Sequence, residues 1–201
     1  MPALRGCVGR LCKPPRWFGK QDCPNYNWLM PNFRRIYIPN SMVFITSTTY
    51  RRNPYLEKTG AEILMEVVNH AKTLYTFSII AHVILPDHFH WIIETQDEAG
   101  DFSAIMKSVK WNFAREYKKA YGISSPMKIW QDRFWDHVIR DENDLSNHIE
   151  YIHWNPVKHG YIRECMGWKF SSIHQFIEVG FYESDKRGKE IPKTVIDTNW
   201  E

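Results

Sequence analysis

The sequence predicts an α+β chain in the order β-α-β-β-α-β, one antiparallel sheet with an added C-terminal helix. Three observations carry that prediction: short runs rich in β-branched and aromatic residues, two long segments of helical apolar periodicity between them, and a Pro-Asp turn joining the second and third runs. Ser41–Thr49, with Val43, Phe44, Ile45 and several threonines, is the first strand. Ala61, Leu64, Met65, Val68 and Ala71 recur at helical spacing and predict an amphipathic helix over about 57–73. Tyr75–Leu85 is a second strand, apolar enough to be placed at the centre of the sheet. Pro86-Asp87 turns the chain into a third strand, His88–Glu94, paired with the second as a hairpin. Phe102, Met106, Val109, Phe113 and Tyr117 mark a second helix over about 101–121, stopped by Gly122. Trp135–Arg140 is the fourth strand. Asn143 or Asp144 then caps a last helix through Leu145, Ile149 and Ile152, which Pro156 should kink or end. This order is the ferredoxin-like (RRM-like) arrangement.

A chain of 201 residues, 43% apolar and 24% charged, suits one soluble globular domain with tails. That composition excludes a disordered chain, a fibre and a disulfide miniprotein. Residues 1–29 read as an irregular basic extension, 30–181 as the folded domain and 182–201 as a polar tail. No apolar run reaches the roughly 18–20 residues of a membrane span, and the N-terminus lacks the apolar stretch of a secretory signal. A cytoplasmic chain is therefore expected. Cys7, Cys12, Cys23 and Cys165 form no CxxC pair and read as reduced thiols. Net charge is +3, yet residues 1–60 carry ten Lys and Arg against only Asp22 and Glu57. That asymmetry suits a polyanionic partner, and thirty aromatic residues include rings that could stack on unpaired bases.

His88 and His90 are two apart on a strand, so both imidazoles share one face and could reach one ion. A hydrogen-bonded pair on a sheet surface is the alternative, and two nitrogens fall short of a complete metal site. The last helix offers a third ligand: Tyr151 and Asn155 are i and i+4, neighbours on one helix face. Such pairs also occur in ordinary helices, with the tyrosine half buried. Taken together, however, two imidazoles, an amide oxygen and a phenol fit attack on a phosphodiester. A cation would polarise the phosphoryl oxygen and tyrosine would be the nucleophile. Open positions and mixed nitrogen and oxygen ligands suit Mg²⁺ or Mn²⁺, with no small-molecule cofactor. His148, one turn before Tyr151, could hydrogen-bond it, while His82, His153 and His159 read as structural. Lys107, Lys110, Arg115 and Lys118 line the polar face of the second helix, either as a solvated face or as a track for DNA backbone. Arg34, Arg35, Arg51 and Arg52 flank the first strand as compact doublets suited to phosphate.

MPNFRRIYIPN at 30–40, LPDHFHWII at 85–93, WQDRFWDHVIRDE at 130–142 and YIHWNPVKHG at 151–160 resemble the REP-associated tyrosine transposases. These belong to the single-tyrosine HUH transposases of insertion sequences. The resemblance spans about 30–175. It implies that His88 and His90 are the HUH histidines, Tyr151 the nucleophile and Asn155 the polar residue completing the metal site. It further implies a divalent metal and single-stranded DNA cleavage through a 5′-phosphotyrosine near a hairpin. The expected partner is single-stranded or hairpin DNA with REP-like palindromes, in DNA transposition or processing of such elements. The family implies a bacterial, nucleoid-associated protein in the cytoplasm. Insertion-sequence relatives resemble swapped dimers, whereas the REP-associated branch is similar to a monomer, which the lack of a dimer stripe here favours. Asn155 stands where the insertion-sequence branch has the longer Gln.

Two rival readings stand beside this one. A non-catalytic RRM-like single-stranded nucleic-acid binding protein would share the sheet and its aromatics, but has no need of two histidines and a tyrosine. A metal-dependent hydrolase using water would leave Tyr151 unexplained, unless that residue lay buried and remote from the histidines.

Overall fold

The computed structural model describes residues 35–96 and 99–182, with Pro192 and Val195. Apart from Arg35, these belong to one compact unit, Ile36–Glu201. The extension at 1–29, with Cys7, Cys12 and Cys23, lies outside the described residues, as does Arg34. The elements run β1 (Met42–Thr48), α1 (Thr59–Leu74), β2 (Phe77–Ile84), β3 (His88–Thr95), α2 (Phe102–Ala120), β4 (Trp135–Val138), α3 (Glu142–Lys158) and a short α4 (Ile173–Glu178). The sheet has the order β2-β3-β1-β4 with every neighbouring pair antiparallel, a ferredoxin-like α+β architecture with α3 added. No helix among the described residues is long and apolar enough to cross a membrane.

Strand β2 lies at the edge of the sheet, not at its centre as its apolar content suggested. Helices cover both faces of the sheet, and the chain after α3 covers the open edge of β2. The Ile84 N–H donates to the Phe170 carbonyl and the Ser172 N–H to the His82 carbonyl, each at 2.9 Å. An edge strand sealed in this way has no reason to be polar.

The alternation of β3 divides the molecule into two layers. Phe89, Trp91 and Ile93 join Val43 and Ile45 in a core against α1 and α2. On the other face, Ile92 packs with Phe44, Ala81 and Val83 against Ile149, Tyr151 and Ile152 of α3. His88 and His90 are in phase with Ile92 and so point towards α3. Within the segment read as a polar tail, Val195 is fully buried in this second core and Tyr182 packs against it.

Asp141, rather than Asn143 or Asp144, caps α3, its carboxylate accepting the Asp144 N–H at 2.9 Å. Asp144 faces β4 instead: its Oδ2 accepts from His137 Nε2 at 2.8 Å and from the Arg140 N–H at 3.0 Å. Burial pushes the Asp144 carboxyl up, but these hydrogen bonds outweigh it and hold it at about 2. Nor does Pro156 end the helix. It removes one hydrogen bond near the C-terminus, while burial of Ile152–Pro156 between the sheet and the chain after α3 keeps the last turn wound to Lys158.

Phe44 stands at the middle of the α3 layer, fully buried, with ring centroids 4.6 Å from His148, 5.6 Å from His90 and 6.1 Å from Tyr151. Phe44→Ala should lower the unfolding free energy by about 3–5 kcal/mol in urea titration, as loss of a buried ring does. A loss below about 1 kcal/mol would contradict this packing role.

Candidate active site

His88 and His90 sit on the inner strand β3, paired across to Thr48 and Thr46 of β1. Both are fully buried, with ring centroids 4.9 Å apart and planes nearly perpendicular. Each ring is held through Nδ1. The His88 Nδ1–H donates to Asp87 Oδ1 at 2.6 Å, and His90 Nδ1 hydrogen-bonds Thr46 Oγ1 at 2.8 Å. With the proton on Nδ1, the lone pair of each ring lies on Nε2, the arrangement by which outer partners orient metal-binding histidines. Asp87 is itself tied to Arg52, whose guanidinium donates to Oδ2 at 3.1 Å. Partial burial pushes the Asp87 carboxyl up, but His88 and Arg52 outweigh it and keep it below the usual carboxylate range.

Helix α3 brings Tyr151 and Asn155 to this face. The Tyr151 ring centroid is 5.2 Å from that of His90, so the phenol is buried but not remote from the histidines. Asn155 is fully buried one turn on, and neither its Oδ1 nor its Nδ2 has a hydrogen-bond partner among the described residues. A buried amide without a partner costs roughly 1–3 kcal/mol. Such an amide, on the helix that sets Tyr151 against His90, belongs to a donor set that could hold a cation together with the two oriented imidazoles. Lys158, two turns beyond Tyr151, places its ammonium over the phenol ring, 4.7 Å from the centroid.

The basic residues fall into separate places. Arg51 and Arg52 form a turn after β1, both exposed and both with positive φ (57° and 52°), a conformation that costs a non-glycine residue free energy. The turn leaves Arg52 against Asp87 and Arg51 over the Tyr50 ring. Arg35 is half-buried and belongs to the other compact unit, Met1–Arg35. Lys107, Lys110, Arg115 and Lys118 lie on α2, in the layer on the far side of the sheet from α3. There, Lys110 donates to the Gln131 carbonyl at 2.6 Å and Arg115 stacks over Trp111.

The remaining histidines are mostly structural. His153 is buried between Ser172 and Tyr182, and burial pushes it down to about 3. Burial likewise lowers His82 to about 4. His159 lies nearer the site, its ring 5.1 Å from His88. His148 is buried and hydrogen-bonds the Asp144 carbonyl through Nδ1 at 2.8 Å. With His137 and Asp144 it forms a second cluster whose potential ligand atoms lie within 4.8 Å of one another. Hydrogen bonds from His137 Nε2 and the Arg140 N–H to the Asp144 carboxylate, and from His148 Nδ1 to the Asp144 carbonyl, tie β4 to α3.

Sequence reasoning missed Asp87, Thr46 and Lys158. Asp87 stands in the turn directly before His88, but its role depends on a side-chain rotation no pattern encodes. Thr46 becomes visible only once the β1–β3 register is known. Lys158 could have been found as the i+7 neighbour of Tyr151 on one helix face.

The family described as Transposase IS200 like matches residues 39–155, a span that holds His88, His90, Tyr151 and Asn155. A REP-associated tyrosine transposase of Escherichia coli (strain K12) is 34% identical over 159 residues, 79% of this chain and 92% of that protein. A relative from Haemophilus influenzae (strain ATCC 51907 / DSM 11121 / KW20 / Rd) is 30% identical over 173 residues, covering 79% of this chain and 94% of its own length. A solved structure of a REP-associated tyrosine transposase bound to a REP hairpin is 33% identical, with a TM-score of 0.68 over 82% of this chain and 100% of that one. The chain belongs to the IS200-like transposase family and, within it, to the REP-associated tyrosine transposases.

Proposed function

We propose that this transposase cleaves single-stranded DNA beside a REP-type hairpin and transfers the strand through a 5′-phosphotyrosine on Tyr151. The observation that carries the reading is the Tyr151 ring 5.2 Å from His90, one turn from a buried Asn155 amide without a partner among the described residues. His88 and His90, through Nε2, and Asn155, through Oδ1, would hold a divalent ion, Mg²⁺ or Mn²⁺. When bound, the ion supplies Lewis-acid polarisation of a phosphoryl oxygen. The Tyr151 oxygen attacks phosphorus and loses its proton, and the bond to the 3′-oxygen breaks. That oxygen takes up a proton as a free hydroxyl. No water enters, so the ester energy is kept and the step can reverse onto a different 3′-hydroxyl, which is strand transfer.

Other residues support the same reading. Lys158 sets a positive charge against the ring of the nucleophile. Arg51 and Arg52, beside His88, are the candidates for contacts to the phosphates near the scissile bond. Lys107, Lys110, Arg115 and Lys118 would meet DNA only where it passes to the far layer. The hairpin as partner is supported by the relative solved with a REP hairpin. A monomer is the active form in this reading, which the approach of Tyr151 to His90 of the same chain supports.

In the presence of Mn²⁺ or Mg²⁺, single-stranded DNA carrying REP-type palindromes should give a covalent protein–DNA adduct on a denaturing gel. The adduct should vanish in Tyr151→Phe and in His88→Ala. Cleavage that persists in Tyr151→Phe would make water the nucleophile and overturn the assignment. Asp87→Ala, which removes the acceptor holding His88, should weaken Mn²⁺ binding by about 10–100-fold in calorimetry. Unchanged affinity would place the ion elsewhere.

A further inference from the structure

We propose that Trp135 is a stacking platform for an unpaired base of the DNA strand next to the scissile phosphate, an assignment that rests on the reading above. Among the described residues, Trp135 is the one exposed large apolar side chain that stands on a strand, and it is 40% exposed. It opens the edge strand β4 and pairs with Thr46, whose partner on the other side is His90. Paired residues share a face, so the indole stands on the histidine face, two strand spacings or about 10 Å from His90.

Two contacts fix the ring. Phe44 meets it edge-on at 5.6 Å, and the His137 ring lies nearly parallel to it, at 5.9 Å and 13°. Phe44 in turn touches His90 and Tyr151, so the platform is tied through one buried ring to both halves of the site. The bland alternative is a lid over Phe44, which a leucine would serve equally well. A half-exposed, orientationally fixed indole beside a phosphate site has a further capacity: it can stack a base that the hairpin leaves unpaired. Every base has a π-face, so the subsite positions the strand without reading its sequence, and one such stack is worth roughly tenfold in affinity.

The test separates stacking from chemistry by measuring binding in the Tyr151→Phe background, where no adduct forms. The probe is a REP-type DNA hairpin with single-stranded flanks, and a second set carries one abasic position at a time. Trp135→Leu, which keeps the apolar cover over Phe44, should weaken binding roughly tenfold, while Trp135→Phe should keep most of the affinity. One abasic position should weaken the parent by a similar factor and have no further effect in Trp135→Leu. Equal binding by parent and Trp135→Leu, or abasic losses that add to the substitution at every position, would overturn the proposal. Equal losses in Trp135→Leu and Trp135→Phe would also overturn it, since the ring itself would then not matter. Failure of the unsubstituted chain to form an adduct on the same probe would count against the cleavage reading, while leaving the binding comparison decisive for the platform.

Discussion

The two-residue alternation of β3 is the constraint on which the rest of this molecule depends. Because successive side chains leave a strand on opposite faces, one eight-residue strand supplies both an apolar core and a polar site. Phe89, Trp91 and Ile93 bind α1 and α2 to the sheet, and His88 and His90 are thereby committed to the other face. A register slip of one residue would bury the imidazoles in the first core and expose the aromatic rings to α3. Hydrophobic burial therefore fixes the direction in which the histidines point.

The layer formed by α3 then has to reconcile apolar packing with polar residues. Phe44, Ile92, Ile149 and Ile152 hold the helix down, and Tyr151 is enclosed with them. Asp87 and Thr46 satisfy the histidines at Nδ1, whereas the amide of Asn155 is left buried without a partner among the described residues. Stability alone would favour a leucine there; the proposed ligation would account for the amide. The same enclosure leaves the phenol without exposed surface, so a phosphate reaches it only as enclosing side chains give way.

Much of this architecture is legible in the amino-acid sequence. Periodicity locates every strand and long helix, and spacing singles out His88, His90 and Tyr151, whose ring centroids follow one another at 4.9 Å and 5.2 Å along the site. What misleads is local pattern standing in for tertiary context. The apolar run of β2 suggests a central strand because nothing in it reveals that residues 170–172 seal its edge. Asp141 caps α3 instead of its neighbours because Asp144 is drawn to His137 on β4. Pro156 suggests a helix end because packing between the sheet and the chain after α3 cannot be read from the residue itself. The basic face of α2 is visible as a stripe, but its separation from the site by the whole sheet is not, since that depends on which layer the helix joins.

The central claim is that His88, His90 and Asn155 together hold the metal beside Tyr151. Pulsed electron paramagnetic resonance of the Mn²⁺-loaded chain tests it most directly, because ligating imidazole nitrogens couple to the ion. The account predicts two such nitrogens in the unsubstituted protein, one in His90→Gln, and two in His137→Gln. Coupling that survives in His90→Gln and disappears in His137→Gln would move the ion to the cluster of His137, Asp144 and His148 and contradict the account.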